Sequence, residues 1–244
     1  MPPNLLRPGV FQPRNPAIFH QSIAAAPWTP ASLSSLVAWW DAANAGSITA
    51  SGSPATVSQW NDLSGHGYNL TQGAGANQPI TGVDTVNGLN ALKFDGNRKM
   101  TYGYAGSLLS QPNTVYCVLK LRDTTSGQRA WDSNGQRNLL NPNGGQWGFY
   151  AGTVVSVSSP AMETSSAHSQ IAIFNGASSN LLLDGSSIST SNPGSQGIDS
   201  TFFVGGDGGG PLLNADLCEL VVQNAAASAG DLSNWATYIA RWGL

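Results

Sequence analysis

Charge is what this chain has least of. Only 9% of its 244 residues are Asp, Glu, Lys or Arg, and the formal net charge is −3. No basic run of the kind that neutralises phosphates occurs, which excludes nucleic acid as an expected partner. Cysteine is nearly as scarce. Cys117 and Cys218 each sit in an apolar, strand-like run and cannot make a disulfide framework, so they read as two buried free thiols. No apolar run approaches the length of a membrane span, and Met1–Pro8 lacks the apolar core of a secretory signal. The expectation is a protein made in the cytoplasm, without membrane insertion.

Acid pairs are missing too. The glutamates are Glu163 and Glu219, far apart in sequence, and Glu219 has only Asp216 as an acidic neighbour. Glycoside hydrolysis needs two carboxyls flanking the scissile bond, so the chain is not expected to be an enzyme. His20, His66 and His168 fall in loop-like contexts without an evident acid partner, and neither a G-x-S-x-G elbow nor zinc spacing is present. The run Gly205–Pro211 lacks the Gly-Lys-Ser/Thr ending of a phosphate loop and reads as a strand connection.

What the chain does have is 29 Gly and 14 Pro among abundant Ser, Asn and Thr, the balance of a turn-rich all-β protein. With 41% apolar residues it can bury a real core. Short apolar runs at Val37–Trp40, Thr56–Trp60, Thr114–Leu121, Gln146–Ala151, Val154–Val157, Ser169–Asn175, Ser179–Asp184, Thr201–Gly205 and Asp216–Gln223 predict strands. In Thr114–Leu121 the residues Val115, Cys117, Leu119 and Leu121 share one face, while Tyr116, Val118 and Lys120 take the other. Ser228-Ala229-Gly230-Asp231 caps a predicted helix with Leu232, Trp235, Ala236 and Ile239 on one side.

Residues 1–30 are different. Pro2, Pro3, Pro8, Pro13, Pro16, Pro27 and Pro30 forbid regular helix there. Leu5, Leu6, Phe11, Ile18 and Phe19 supply apolar anchors that a solvated leader would not need, so the segment reads as an extended arm that docks on a partner. The domain expectation is therefore an arm, 1–30, followed by one sandwich domain, 31–244.

Three stretches carry a family resemblance. A tryptophan strand at Trp39-Trp40 leads to Trp60-Asn61-Asp62-Leu63-Ser64-Gly65, and a later strand ends in Phe94-Asp95-Gly96. This order resembles the opening of concanavalin A-like lectin/glucanase sandwich domains, the laminin-G-like kind found in phage virion proteins. The pair Ile171–Gly176 and Leu181–Gly185, and the closing strand, helix and Trp242-Gly243, are similar to that family as well. The resemblance implies a two-sheet antiparallel jelly-roll sandwich with a short C-terminal helix. It also implies a non-enzymatic virion surface protein: a capsid decoration, head fibre or tail-associated protein with capsid or tail proteins as partners of the arm. A host-surface glycan is a further implied partner, homo-oligomerisation is left open, and the glucanase acids Glu-x-Asp-x-x-Glu are absent. An adhesin outside a virion and a divergent hydrolase using Glu219 are the alternatives.

Sugar binding needs an aromatic face for the ring and planar polar groups for its hydroxyls. Trp131, Asp132, Asn134, Arg137, Trp147 and Tyr150 offer these types on neighbouring segments and form the predicted carbohydrate cluster. Because many lectin sandwiches bind calcium through loop oxygens, Asp132, Asn134 and Asp207 are the calcium candidates. Asp62 is expected to accept backbone N–H groups within its own loop, and His66 to be a solvated loop residue.

Overall fold

The stretch Asn113–Leu121 is buried on both faces. Val115, Cys117, Leu119 and Leu121 enter one core, and Tyr116 and Val118 enter a second. That is the signature of a central strand with layers above and below it. The computed structural model describes residues 27–103, 109–124, 127–133, 135–140, 145–206 and 212–244. The arm anchors Leu5, Leu6, Phe11, Ile18 and Phe19, and the candidate ligands Asn134 and Asp207, lie outside the described residues.

In chain order the strands begin with β1 (Leu36–Asp41), β2 (Ile48–Ser51), β3 (Thr56–Trp60), β4 (Leu70–Thr71), β5 (Ile80–Val86) and β6 (Leu89–Asp95). Next come β7 (Met100–Gly103), β8 (Asn113–Leu121), β9 (Gln128–Asp132), β10 (Arg137–Leu140), β11 (Trp147–Tyr150) and β12 (Val154–Val157). The last are β13 (Ala167–Phe174), β14 (Asn180–Leu183), β15 (Ser186–Ser189), β16 (Thr201–Val204) and β17 (Asn214–Gln223), followed by helix α1 (Ala229–Ile239). All pairings are antiparallel.

β17 is the spine of the first sheet. It pairs with β8 along one edge, and with β6 and then β1 along the other; β5 flanks β6, while β13, β14 and β15 extend beyond β8. The second sheet runs β2, β3, β4, β7, β16, β9, β10, β11, β12. A single Thr56–Ile80 pairing joins the two at one edge. The result is an all-β sandwich with a short C-terminal helix.

Between the sheets lies an aromatic core that includes Trp40, Trp60, Phe94, Trp131, Trp147, Phe149, Phe174 and Phe202. Trp131 stacks on Phe202 at 5.5 Å, and Phe202 stacks on Trp40 at 5.7 Å. The second core sits on the outer face of the first sheet, where Tyr116, Val118, Ile171 and Val221 meet Trp235, Ile239 and Trp242 from α1 and its continuation. Each such large apolar side chain contributes about 1.5–3 kcal/mol when fully buried.

A β-bulge lets β17 serve both cores. Its register with β8 shifts between Leu217 and Glu219, so Leu217 and Leu220 both reach the inner core while Cys218 and Glu219 both face outward. The helix is capped as its sequence predicts: Ser228 and Asp231 form a reciprocal capping box, and Gly243 closes the end at φ 84°. Two hairpins use the turn their residues favour, with Asn87-Gly88 at φ 48° and 77°, and Asp184-Gly185 at φ 48° and 79°.

Cys117 and Cys218 are free, buried thiols, one in each core, and burial pushes both thiol pKa values up. The polar run Arg129–Asn138 has the composition of a turn, yet both of its ends are strand: Arg129–Asp132 belong to β9 and Arg137–Asn138 to β10, where Arg137 pairs with Asp132. The cluster of Asp, Ser, Asn and Gly in the connection hides the strands on either side. Trp28 and Pro30 already belong to the body: Trp28 packs edge-on against Tyr238 at 5.7 Å, and Pro30 is buried.

Candidate functional site

Asp62 organises one corner of the sandwich through its loop. Its Oδ1 accepts the backbone N–H of Trp39 (3.0 Å) and of Ser64 (2.9 Å). Its Oδ2 accepts the Ser64 hydroxyl (2.7 Å) and the Tyr68 backbone N–H (3.0 Å). The expected local turn is present, and the same carboxylate also ties the loop to β1. Gly65 and Gly67 take the left-handed turns the loop requires, at φ 89° and 81°. Trp40 Nε1 donates to Tyr68 O at 2.9 Å, fixing the loop from the core side.

Three aromatic rings meet at this loop. His66 stacks with Tyr68 (5.9 Å, 27°), and Tyr68 lies 4.9 Å from Tyr102 of β7. The Tyr102 phenol is pushed up from its ordinary value, first by burial and then by Tyr68 and Asp62, so it stays protonated at neutral pH. Beside the rings is a groove of about 200 Å³ lined by Ser35, Val37, His66, Tyr68, Leu109 and Asn224. Asn224 is exposed, and its backbone N–H donates to Ser35 O where β17 leaves β1. The buried Ser35 hydroxyl has no hydrogen-bond partner among the described residues.

His66 Nδ1 lies 3.0 Å from Val37 O, which can only accept, and 3.0 Å from the Ser64 hydroxyl, which also reaches Asp62 Oδ2 and Val37 O. A hydrogen on Nδ1 satisfies that carbonyl and leaves Nε2 on this exposed ring as an acceptor.

The cluster singled out in the sequence is placed otherwise. Trp131 and Trp147 are both 0% exposed and offer no face to a sugar; they complete the inner core. Asp132 is buried, with Arg129 Nη1 at 2.7 Å and Arg137 Nη1 at 3.5 Å from its Oδ2. Two guanidiniums at one carboxylate oppose a calcium ion there. Arg137 and Tyr150 do come together, with the guanidinium 4.1 Å over the ring, on the partly exposed side of β10 and β11. Sequence reasoning missed the pairing of Tyr68 with Tyr102, both half-buried against the inner core, although Gly65-His66-Gly67-Tyr68 announces a ring on a tight loop.

Two acidic centres take structural roles. Glu219 is 0% exposed and accepts from Trp39 Nε1 (2.7 Å), Tyr238 Oη (2.8 Å), Arg241 Nη2 (2.6 Å) and Trp242 Nε1 (2.9 Å). Burial first, then Asp41, raises its pKa, while Arg241 and Trp242 pull it back. His168, in contrast to the sequence expectation, has acid partners on both sides. Nδ1 lies 2.7 Å from Asp184 and Nε2 3.0 Å from Glu163, beside an open groove of about 600 Å³ that also includes Lys120. That groove is larger, but its acids are spent internally: Asp184 also accepts Ser169 N–H, and Glu163 holds Ser165 and Ser166.

No protein-family model and no curated protein matches the sequence. Solved structures do. Domain 4 of AbnA, a GH43 extracellular arabinanase from Geobacillus stearothermophilus in complex with arabinotriose, is similar at TM-score 0.56 and 13% identity, over 83% of this chain and 98% of that one. The binding domain of Paraclostridial Mosquitocidal Protein 1 is similar at TM-score 0.53 and 15% identity, over 84% of this chain and 52% of that one. Trypanosoma rangeli sialidase in complex with the inhibitor DANA gives TM-score 0.51 and 14% identity over 82% of this chain, which spans 32% of the sialidase. The shared property is the β-sandwich fold. Among the neighbours bearing it are carbohydrate-active proteins and binding domains.

Proposed function

We propose that this chain is a non-catalytic, carbohydrate-binding sandwich of the concanavalin A-like, laminin-G-like kind. Its saccharide site is the groove beside His66, Tyr68 and Tyr102. On this reading the domain is displayed on a phage virion surface, with residues 1–30 docked on a capsid or tail protein. The carrying observation is the ring pair Tyr68–Tyr102, 4.9 Å apart, of which Tyr68 lines a groove together with His66 and Asn224. Such rings cover the apolar face of a sugar, and the amide and imidazole meet its hydroxyls. At about 200 Å³ the groove is below the roughly 300–1,000 Å³ of pockets that enclose whole ligands, so it suits one sugar ring of an exposed chain. Support from the fold comes from AbnA domain 4, described with bound arabinotriose and matched over 98% of its length.

The two glutamates lend no support to a catalytic reading: Glu219 is sealed beneath α1, and the serine N–H and hydroxyl groups around Glu163 hold its carboxyl down to about 2, where it keeps no proton to donate. The test is a glycan array with the full-length protein, followed by titration of the best hit. Tyr68→Ala and Tyr102→Ala should each weaken binding about tenfold or more, equivalent to about 1.4 kcal/mol, with an unchanged circular dichroism spectrum. Undiminished binding by both variants would remove this groove from the reading.

A further inference from the structure

Tyr68 follows two glycines, Gly65 and Gly67, at φ 89° and 81°. Glycine admits many other backbone conformations, so the direction in which the Tyr68 ring leaves the chain depends on ties made from elsewhere. Two side chains hold the peptide planes on either side of its Cα. Asp62 Oδ2 accepts the Tyr68 N–H at 3.0 Å, and Trp40 Nε1 donates to Tyr68 O at 2.9 Å. Because each peptide unit is planar, fixing both planes sets φ and ψ at Tyr68, and with them the direction of its Cα–Cβ bond. Trp40 brings this tie from the inner core. It is 1% exposed, and its ring stacks on Phe202 at 5.7 Å and 17°. Phe202 in turn stands opposite Tyr102 in the pairing of β16 with β7. One indole therefore meets both halves of the ring pair: it bonds to Tyr68 directly, and it packs on the residue that faces Tyr102 across the sheet. Trp40, Tyr68, Tyr102 and Phe202 line one small hollow together.

We infer that Trp40 is the positioning residue of the saccharide groove, an inference that rests on the carbohydrate reading above. Its indole N–H, rather than its bulk, holds Tyr68 beside Tyr102 in the arrangement that covers a sugar ring. Trp40 is buried and acts only through Tyr68. Such preorganisation raises affinity because the rings do not have to be ordered when the ligand arrives. The coupling is reciprocal: a saccharide that needs Tyr68 in this place strengthens the bond that keeps it there.

The experiment compares Trp40→Phe with Trp147→Phe in the full-length protein, by thermal melting and by titration with the best oligosaccharide from the glycan array. Both changes replace a buried indole of the inner core by a phenyl ring, but Trp147 Nε1 has no hydrogen-bond partner among the described residues. Both should lower the melting temperature. Trp40→Phe alone should weaken binding, by about tenfold. A second measurement needs no variant: in the unaltered protein, saturating oligosaccharide should slow hydrogen exchange at the Trp40 indole N–H, read by nuclear magnetic resonance. Binding by Trp40→Phe that matches the unaltered protein, a loss shared equally by Trp147→Phe, or indole exchange indifferent to the sugar would each overturn the inference and leave the carbohydrate reading standing. Absence of oligosaccharide binding by the unaltered protein would overturn the reading itself, and the inference with it.

Discussion

Glu219 joins four donors from β1, α1 and the turn after it, so its removal strands all of them at once. Arg241 is also 3.0 Å from Asp41, and without Glu219 its guanidinium would be left with one carboxylate of the two. Breaking a buried ion pair by deleting one partner costs about 3–5 kcal/mol, and Glu219→Ala should fall in that range by urea denaturation. Glu219→Gln keeps an acceptor for the tryptophan N–H groups and should lose less. Equal stability of Glu219→Ala and the unaltered protein would show that the carboxylate is not the fastener of the helix. The sequence reveals Glu219 as an isolated acid in an apolar strand but not its direction, because plain alternation from Leu217 turns it into the core. Only the bulge, set by pairing with the distant β8, turns it outward. The candidate site is legible to a similar degree. Asp62 announces its turn in the sequence, whereas Tyr68 acquires its neighbour from β7, which no local pattern connects to it.

At the level of elements, His168 on β13 fastens the segment after β12, through Glu163, to the β14–β15 turn, through Asp184. The Asp184 hydrogen bond, with the charges of Asp184 and Glu163, raises the His168 pKa from its ordinary value of 6.5 against the opposing effect of burial. Lys120 shares the groove, and Trp147 meets the imidazole edge-on at 5.3 Å. A histidine whose pKa rises on folding stabilises while protonated. Its contribution is complete below about 6.5 and is lost as pH climbs through the higher folded value. The melting temperature should therefore fall between about pH 6 and pH 9 by more in the unaltered protein than in His168→Gln, which has no such proton to lose. Identical pH profiles would mean that the clasp does not report on folding. His168 reads as a loop residue in sequence because the Ser-rich stretch before it suppresses the strand signal. Apolar and β-branched runs bounded on both sides by turn formers, such as β3, β8 and β12, are legible almost to the residue. β2, β4, β7, β9 and β10 are short and polar or flanked by turn formers, and owe their existence to partners elsewhere in the chain.

For the whole molecule, the question is where the sandwich begins and what the chain before it does. The spine β17 pairs with β1, so the first described strand and the last close the same sheet, and Leu33 is already in the second core. Trp28 on Tyr238 already belongs to the packed body, so a cut after residue 26 keeps this contact, whereas one after residue 30 would remove Trp28 and the buried Pro30. The preceding 26 residues contain Arg7 and Arg14, no acid, and the apolar Leu5, Leu6, Phe11, Ile18 and Phe19. If they are the docking arm, deleting 1–26 separates two properties that one folded domain would otherwise couple. An arm that docks on a partner and not on its own sandwich leaves the truncated protein melting within about 1–2 °C of the full chain. The truncated protein should bind the same glycans, yet fail to co-sediment with assembled particles that incorporate the full chain. Retention of the truncated protein on particles would transfer the docking surface to the sandwich, and loss of folding would place the arm inside the cooperative unit.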